Sequence, residues 1–277
     1  FVLGENGVPL RQDGIPIIKQ DVDDIIRNWN LFRSGSDLDY DACCRIKRSE
    51  IDPHTLSPNP LKFESKSMET IRKIRSKDGA GFTVHPLKDL VSRPVFNGPR
   101  FKRPYADADV TSGPGILRYY TGTALTQTKG DNVKFLDLNQ ATSQQKKQIS
   151  ELIIEPDWIL ISDSGTIGNI VYTMPRHNGC VATNNLIRVV IDDPVLRGYV
   201  YAVLTTVFGQ DQIRRLSYGT NQHHVEPVDI GEILIPVPND NDLLKKIGED
   251  VINSKKATAQ SISLELQATE NIHSALS

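Results

Sequence analysis

The side chains in this sequence best suited to chemistry are the basic and aromatic residues of a loop-like stretch, residues 93–125. The loop character comes from Gly and Pro, and the acidic side chains there are only Asp107 and Asp109. Guanidinium groups pair with phosphate or with guanine, and aromatic rings stack on bases or wedge between them. The stretch therefore predicts a nucleic-acid surface, although aromatic side chains that merely pack on a β-sheet core would give the same pattern. The residues concerned are Arg93, Phe96, Arg100, Phe101, Lys102, Arg103, Tyr105, Arg118, Tyr119 and Tyr120.

Two other chemistries find little support in the sequence. Asp163 lies between Ser162 and Ser164, but the passage lacks the strand-turn-helix context of a nucleophilic serine, and no histidine is placed to act as its base. A metal site would have to join Cys180 to histidines at spacings that are not those of zinc ligands, namely His177, His223 and His224. The sequence predicts neither a hydrolase nor a metal site.

The element that must position these groups is a strand-turn-strand hairpin at residues 158–173, WILISDSGTIGNIVYT. Its first and last parts are apolar runs rich in β-branched and aromatic residues, which suit a pleated sheet. Between them, Gly165 and Gly168 can adopt positive φ, and the Ser-Asp-Ser group can bond its own backbone. We expect an ordinary hairpin whose glycines shape the turn.

Helices and further strands surround this hairpin. Apolar periodicity predicts helices at residues 67–77, 141–155 and 195–216, the last interrupted by Gly209, and strands at 186–191 and 233–237. From about residue 240, a stripe predicts a helix of 30 or more residues, a rod approaching ~45 Å. Such a helix needs a partner for its apolar seam, either a second helix or another subunit. The stripe consists of Leu244, Ile247, Val251, Ile262, Leu266 and Ile272.

Composition restricts the class of protein. The chain has 277 residues, 38% of them hydrophobic and 24% charged, and it contains no long apolar run that could span a membrane. Three cysteines are too few for a disulfide framework, which favours the cytoplasm. Charge is uneven: residues 61–225 carry 21 basic and 15 acidic side chains, whereas both flanks are net acidic. A basic middle is what a phosphate-binding surface requires.

The order of three features resembles a known family. ILISDSGTIGNIVY is followed by SYGTNQHHVEPVDIGEILIPVP and then directly by the long helix. This order is similar to that of the target recognition domains of type I restriction-modification specificity subunits, from about residue 84 to the end. The resemblance implies a DNA-reading domain that leads into a spacer helix, with residues 93–125 as variable reading loops. It also implies that the polar segment 219–223 faces DNA.

The first 32 residues resemble the carboxyl-terminal end of the adenine-N6 DNA methyltransferase subunits of such systems. They combine a stretch rich in Gly and basic residues with an acidic-capped helix that ends in Trp29, and residues 44–63 resemble the linker to a fused recognition domain. The resemblance implies a longer parent polypeptide, as does the initial Phe1. Neither an Asn-Pro-Pro-Tyr nor an Asp-Pro-Pro-Tyr motif occurs, and no S-adenosylmethionine loop or GxxxxGK[ST] motif is present.

We therefore expect an α+β fold, with a mixed-sheet DNA target recognition domain followed by a long spacer helix of coiled-coil type. The expected domains are a methyltransferase-like tail and linker at 1–63, the recognition domain at 64–238 and the spacer helix at 239–277. The expected function is recognition of specific double-stranded DNA, without catalysis and without a cofactor in this chain. S-adenosylmethionine is implied for the parent complex. The alternatives are the end of a fused methyltransferase-specificity polypeptide and a protein-interaction module that does not bind DNA.

The residue types and the resemblance together predict particular DNA-contacting residues and partners. Amide and guanidinium groups can pair bidentately with adenine and guanine. The expected partners are double-stranded DNA, methyltransferase and restriction subunits, and a second helix or subunit on residues 243–276. Arg93, Arg100, Lys102 and Arg103 are predicted to bind phosphate, and Arg118, Tyr119, Asn221, Gln222 and His223 to read bases.

Overall fold

A computed structural model describes residues 11–12, 15–16, 22–36, 46, 64–127, 133–219 and 223–276 of the chain. The chain divides into two compact units, Phe1–Lys66 and Ser67–Ser277.

The first unit contains a short antiparallel strand pair and one helix. Strand β1 (Arg11–Gln12) pairs with β2 (Ile15–Pro16), and helix α1 spans Val22–Ser34. Acidic side chains in the first turn of α1 favour its start, because they interact with the positive end of the helix dipole. Trp29 stacks on Phe32 with ring centroids 5.9 Å apart.

The second unit contains the remaining helices and strands, apart from the first two residues of α2. After helix α2, strands and short helices alternate up to a terminal helix. The helices are α2 (Ser65–Arg75), α3 (Gly122–Thr126), α4 (Ser143–Ser150), α5 (Pro194–Thr205), α6 (Val207–Leu216), α7 (Pro227–Gly231) and α8 (Asn241–Leu276). The strands are β3 (Phe82–Pro86), β4 (Ile116–Tyr120), β5 (Lys134–Asp137), β6 (Ile159–Ser162), β7 (Ile170–Tyr172), β8 (Val181–Ala182), β9 (Leu186–Val189) and β10 (Leu234–Pro238).

The predicted hairpin supplies the central strand of one sheet. Strand β6 lies between β7 and β9 and is antiparallel to both. Because side chains alternate along a strand, Ile159 and Ile161 enter a core with α5, α6 and β10, whereas Trp158 and Leu160 enter a second core on the opposite face. Burial on both faces makes β6 the middle of the domain.

The second sheet is mixed. Strand β4 pairs antiparallel with β5 and parallel with β8, and β3 and β10 form a separate antiparallel pair. Helices and a mixed sheet in one unit, with a long helix at the end, confirm the predicted α+β class.

The structure has two helices, α5 and α6, where one interrupted helix was predicted at residues 195–216. The break lies at Thr206, which has an extended conformation with ψ 170°, and not at Gly209. Gly209 lies within α6, where an added Cβ would lie 2.5 Å from the Leu204 Cα. Glycine is therefore needed for α6 to fold back on the end of α5.

The terminal helix α8 has 36 residues, which at ~1.5 Å per residue is a rod of about 54 Å. Its first half packs on α5 through a close approach of Gly198 to Gly248. Its second half exposes apolar side chains, with Leu264 58%, Leu266 56% and Ile272 61% exposed. Within the described ranges, no helix has the length and apolar character to cross a membrane.

Candidate nucleic-acid interface

Two cavities of about 610 and 420 Å³ share Arg103 and Asn185 in their walls, and we call them together the polar cleft. Their lining combines basic, amide and hydroxyl side chains with a few aromatic rings, a set that can donate hydrogen bonds to phosphates and base edges. The polar cleft is lined chiefly by Asn97, Arg100, Phe101, Arg103, Tyr105, Thr121, Ser162, Asp163, Ser164, Thr166, Thr183, Asn184, Asn185, Tyr218, His224 and Glu226.

The basic segment at residues 100–103 is tethered to helix α4. The Gln148 side chain donates to the Arg100 carbonyl at 3.0 Å, and the Gln145 side chain donates to the Lys102 carbonyl at 2.7 Å. Gln145 also completes a capping box with Thr142, which fixes the start of α4. These amides hold the backbone of the segment, while the Arg100 and Lys102 side chains remain exposed.

Arg103 is held by aromatic residues. Its Nε donates to the Tyr119 hydroxyl at 2.6 Å, and its guanidinium carbon lies 5.7 Å from the Phe101 ring centre. Tyr119 is only 1% exposed, with its ring edge-on to Phe101 and Tyr105. A side chain so buried cannot reach a base edge. We therefore reassign Tyr119 from reading a base to orienting Arg103, whose terminal nitrogens stay available at the polar cleft.

The turn of the central hairpin borders the polar cleft. Gly165 and Gly168 have φ of 72° and 84°, the positive values for which glycine is suited. The Ser162 hydroxyl donates to the Ser164 carbonyl at 2.9 Å, so the serine serves the turn and not a catalytic base. The Gln210 side chain of α6 donates to the Gly168 carbonyl at 3.0 Å. The turn is thus held from within and by α6.

A second loop is joined to this turn. The Val225 N–H donates to the Asp163 carbonyl at 3.0 Å, and Tyr218 and His224 exchange backbone hydrogen bonds of 2.9 and 2.8 Å. The segment 219–223 therefore begins and ends at the wall of the polar cleft. His223 is exposed, and the predicted base-reading residues Asn221 and Gln222 lie outside the described residues.

Asp163 gives the polar cleft one partly buried carboxyl group. Burial raises the pKa of Asp163, and Glu226 raises it further, while the Ser164 hydrogen bond, His224 and Arg100 oppose that shift. Its Oδ1 is buried and has no hydrogen-bond partner among the described residues. A carboxylate here repels phosphate, so its protonation state affects how the polar cleft receives an anion.

The turn at residues 183–185 also borders the polar cleft, and its role was not predicted from the sequence. The Asn184 side chain donates to the Asn185 Oδ1 at 2.7 Å, and the Asp163 N–H donates to the Asn185 carbonyl at 3.2 Å. Asn185 is exposed and lines both cavities. The signal that could have found it is a Thr-Asn-Asn run between apolar strands, residues 181–182 and 186–189.

Some of the predicted residues do not line the polar cleft, namely Arg93, Lys102, Arg118 and His223. Arg93 stacks on Trp158 at 4.3 Å and lines a separate cavity of about 470 Å³ together with Asp157 and Asp192. Arg118 is exposed on β4, on the strand face opposite Tyr119. Of the predicted residues, the structure brings Arg100, Arg103 and Tyr119 to the polar cleft.

Comparison with known proteins gives structural likenesses only. No family model and no curated protein matches the chain. The type I restriction-modification S subunit from M. genitalium is 13% identical, with 61% of this chain and 37% of that chain covered and a TM-score of 0.40. The HsdS subunit from Thermoanaerobacter tengcongensis is 15% identical, with 69% and 46% covered and a TM-score of 0.43.

The type IIG restriction endonuclease BpuSI is 11% identical, with 74% of this chain and 30% of that chain covered and a TM-score of 0.48. The chain spans less than half the length of each of these three structures. At these identities and scores, no residue role, ligand or partner is transferred to this chain. The solved structures that it resembles thus include two specificity subunits of the family that the sequence indicated.

Proposed function

We propose that this chain recognises specific double-stranded DNA as the specificity module of a restriction-modification system that acts in the cytoplasm. The observation that carries the proposal is the polar cleft, in which arginines on a tethered segment border amide and hydroxyl side chains. Arginine and lysine supply affinity through phosphate, and amides supply discrimination through base edges. We assign phosphate contacts to Arg100, Lys102 and Arg103.

The proposed domains follow the sequence analysis, with a methyltransferase-like tail and linker at 1–63, the recognition domain at 64–238 and the spacer helix at 239–277. The parent complex would methylate adenine at N6 with S-adenosylmethionine, and methyltransferase and restriction subunits would be its other components. The exposed apolar side chains of the second half of α8 support a further role, since they offer a face to a second helix or subunit.

The experiment is a mobility shift with the full chain and a random duplex, repeated over a series of salt concentrations. Replacing both Arg100 and Arg103 with Ala removes two cationic groups from the polar cleft. Each lost phosphate contact lowers the slope of log affinity against log salt by about 0.9, so we expect the slope to fall by roughly 1.8.

Arg93→Ala is the matched control, because it removes an exposed arginine that lies outside the polar cleft. It should leave the slope nearly unchanged. An equal decrease of this slope in the control and in the double variant would show that the polar cleft is not the phosphate-binding surface. A chain that binds no duplex even in low salt would favour the protein-interaction alternative.

A further inference from the structure

A charged side chain is fully buried next to the turn whose asparagines line the polar cleft. Arg188 of β9 is 0% exposed, and burial lowers the pKa of its guanidinium to about 10, which still leaves it protonated at neutral pH. A buried charge is costly unless it is well hydrogen-bonded. Nothing in β-sheet packing requires an arginine at this position, so its partners indicate what it does.

Those partners are backbone carbonyls of the turn that carries the two asparagines. Arg188 donates from Nη2 to the Ala182 carbonyl at 3.1 Å and to the Thr183 carbonyl at 3.3 Å, and from Nη1 to the Leu186 carbonyl. One guanidinium therefore bridges the end of β8 to the start of β9. These bonds draw the backbone on both sides of Asn184 and Asn185 inward, while the two side chains line the polar cleft.

The backbone of Arg188 also anchors the basic segment. Its N–H donates to the Phe96 carbonyl at 2.7 Å, and the Phe96 N–H donates to the Arg188 carbonyl at 3.3 Å. Phe96 begins the stretch that leads to Arg100 and Arg103. Arg188 thus joins the two walls of the polar cleft, the phosphate-binding segment through its main chain and the asparagine turn through its side chain.

Asn185 has the geometry of a base reader. The hydrogen bond from Asn184 orients its carboxamide and uses one lone pair of Oδ1, which leaves a second lone pair and the Nδ2 donors. A carboxamide that accepts through oxygen and donates through nitrogen matches the N6 donor and N7 acceptor of adenine in the major groove.

We propose that Asn185 reads an adenine edge and that Arg188 is the positioning residue that fixes the 183–185 turn for this contact. The inference rests on the proposed function and adds to it the base class that is read and the residues responsible. It makes the asparagine turn, and not only the 219–223 segment, a source of sequence discrimination.

The test selects preferred sequences from a pool of duplexes randomised over a central block, with the full chain as the binding protein. Asn185→Ala should lose about 5- to 150-fold of discrimination at a single A·T pair, while its affinity for the unselected pool in low salt stays within about twofold of wild type. Asn185→Asp offers only acceptors and should shift the preference at that pair towards cytosine. Asn178→Ala, at an exposed asparagine outside the polar cleft, should change nothing.

Arg188→Lys tests the positioning role, because lysine keeps the charge but cannot bridge three carbonyls from a planar fork. It should lose discrimination at the same base pair as Asn185→Ala and keep its affinity for the pool. If Arg188→Lys fails to fold, as judged by circular dichroism, Arg188→Met tests whether packing alone can hold the turn. Full discrimination in a folded Arg188 variant would overturn the positioning role.

Other outcomes separate this inference from the proposed function. Wild-type preference in Asn185→Ala, or a loss at a pair other than A·T, would overturn the assignment of Asn185 while DNA binding itself stands. A wild-type chain that binds none of the pool in low salt would instead refute the proposed function.

Discussion

The packing of α8 against α5 depends on two glycines, and substituting one of them is the sharpest test of this fold. An added Cβ on Gly248 would lie 2.3 Å from the Val195 carbonyl oxygen, and one on Gly198 would lie 2.4 Å from the Gly248 carbonyl oxygen. Both obstacles are backbone atoms, which cannot rotate away as a side chain can. Gly248→Ala must therefore push the helices apart by roughly 1 Å to reach normal contact distance.

The magnitude follows from two opposing effects. Overpacking costs about 1–3 kcal/mol, and the upper part of that range, about 2–3 kcal/mol, applies where the obstacle is backbone, whereas replacing a helical glycine with alanine contributes about 1 kcal/mol in helix propensity. We expect a net loss of roughly 1–2 kcal/mol in the free energy of unfolding. For a domain of this size, that corresponds to a fall in Tm of about 2–8 °C.

The assay is thermal unfolding followed by circular dichroism, combined with hydrogen exchange of the α8 amides. Exchange should accelerate in the first half of α8, where Leu244 and Ile247 pack on the core, and stay slow in β6. Gly231→Ala is the matched control, since its Cβ would meet only the Lys88 Cβ at 3.4 Å, an ordinary contact. A Gly248→Ala protein as stable as wild type, with unchanged exchange, would refute the close approach of the two helices.

Two further predictions concern pH. Asp163→Asn removes a carboxylate from the polar cleft and should tighten binding of a random duplex at pH 7 by about fivefold, roughly 1 kcal/mol. Because burial raises the pKa of Asp163, the affinity of the wild type should approach that of the variant as pH falls. A difference in affinity that stays constant in a pH series of mobility shifts would contradict this. Burial lowers the pKa of His177 from 6.5 to about 4, so the unfolded chain binds more protons between these values, and stability should fall by up to roughly 3 kcal/mol as pH drops from 6.5 to 4. His177→Gln should reduce this loss of stability at low pH, as measured by urea unfolding at each pH. An equally steep loss in the variant would mean that other titrating groups cause it.

Local pattern was enough to predict many of the elements. Apolar runs with Gly165 and Gly168 between them predicted the hairpin, and the long stripe predicted α8, because both patterns follow from the side-chain periodicity of a single element. Two arginines of the basic and aromatic stretch, Arg100 and Arg103, line the polar cleft, and the binding of nucleic acid by this stretch stays a prediction. Periodicity could not reveal the break at Thr206, because α6 folds back on α5 through the tight packing of Gly209.

Tertiary structure decided which of the candidate side chains act together. Arg93 and Arg103 are ten residues apart, yet one stacks on Trp158 and the other borders the polar cleft, because the chain between them pairs with β9 at Phe96. Burial of Arg188 depends on carbonyls that only the β8–β9 turn supplies. The sequence by itself determined most of the elements and the basic character of residues 61–225. Only the tertiary structure decided which residues form the polar cleft, because its walls are joined by hydrogen bonds between residues far apart in the chain.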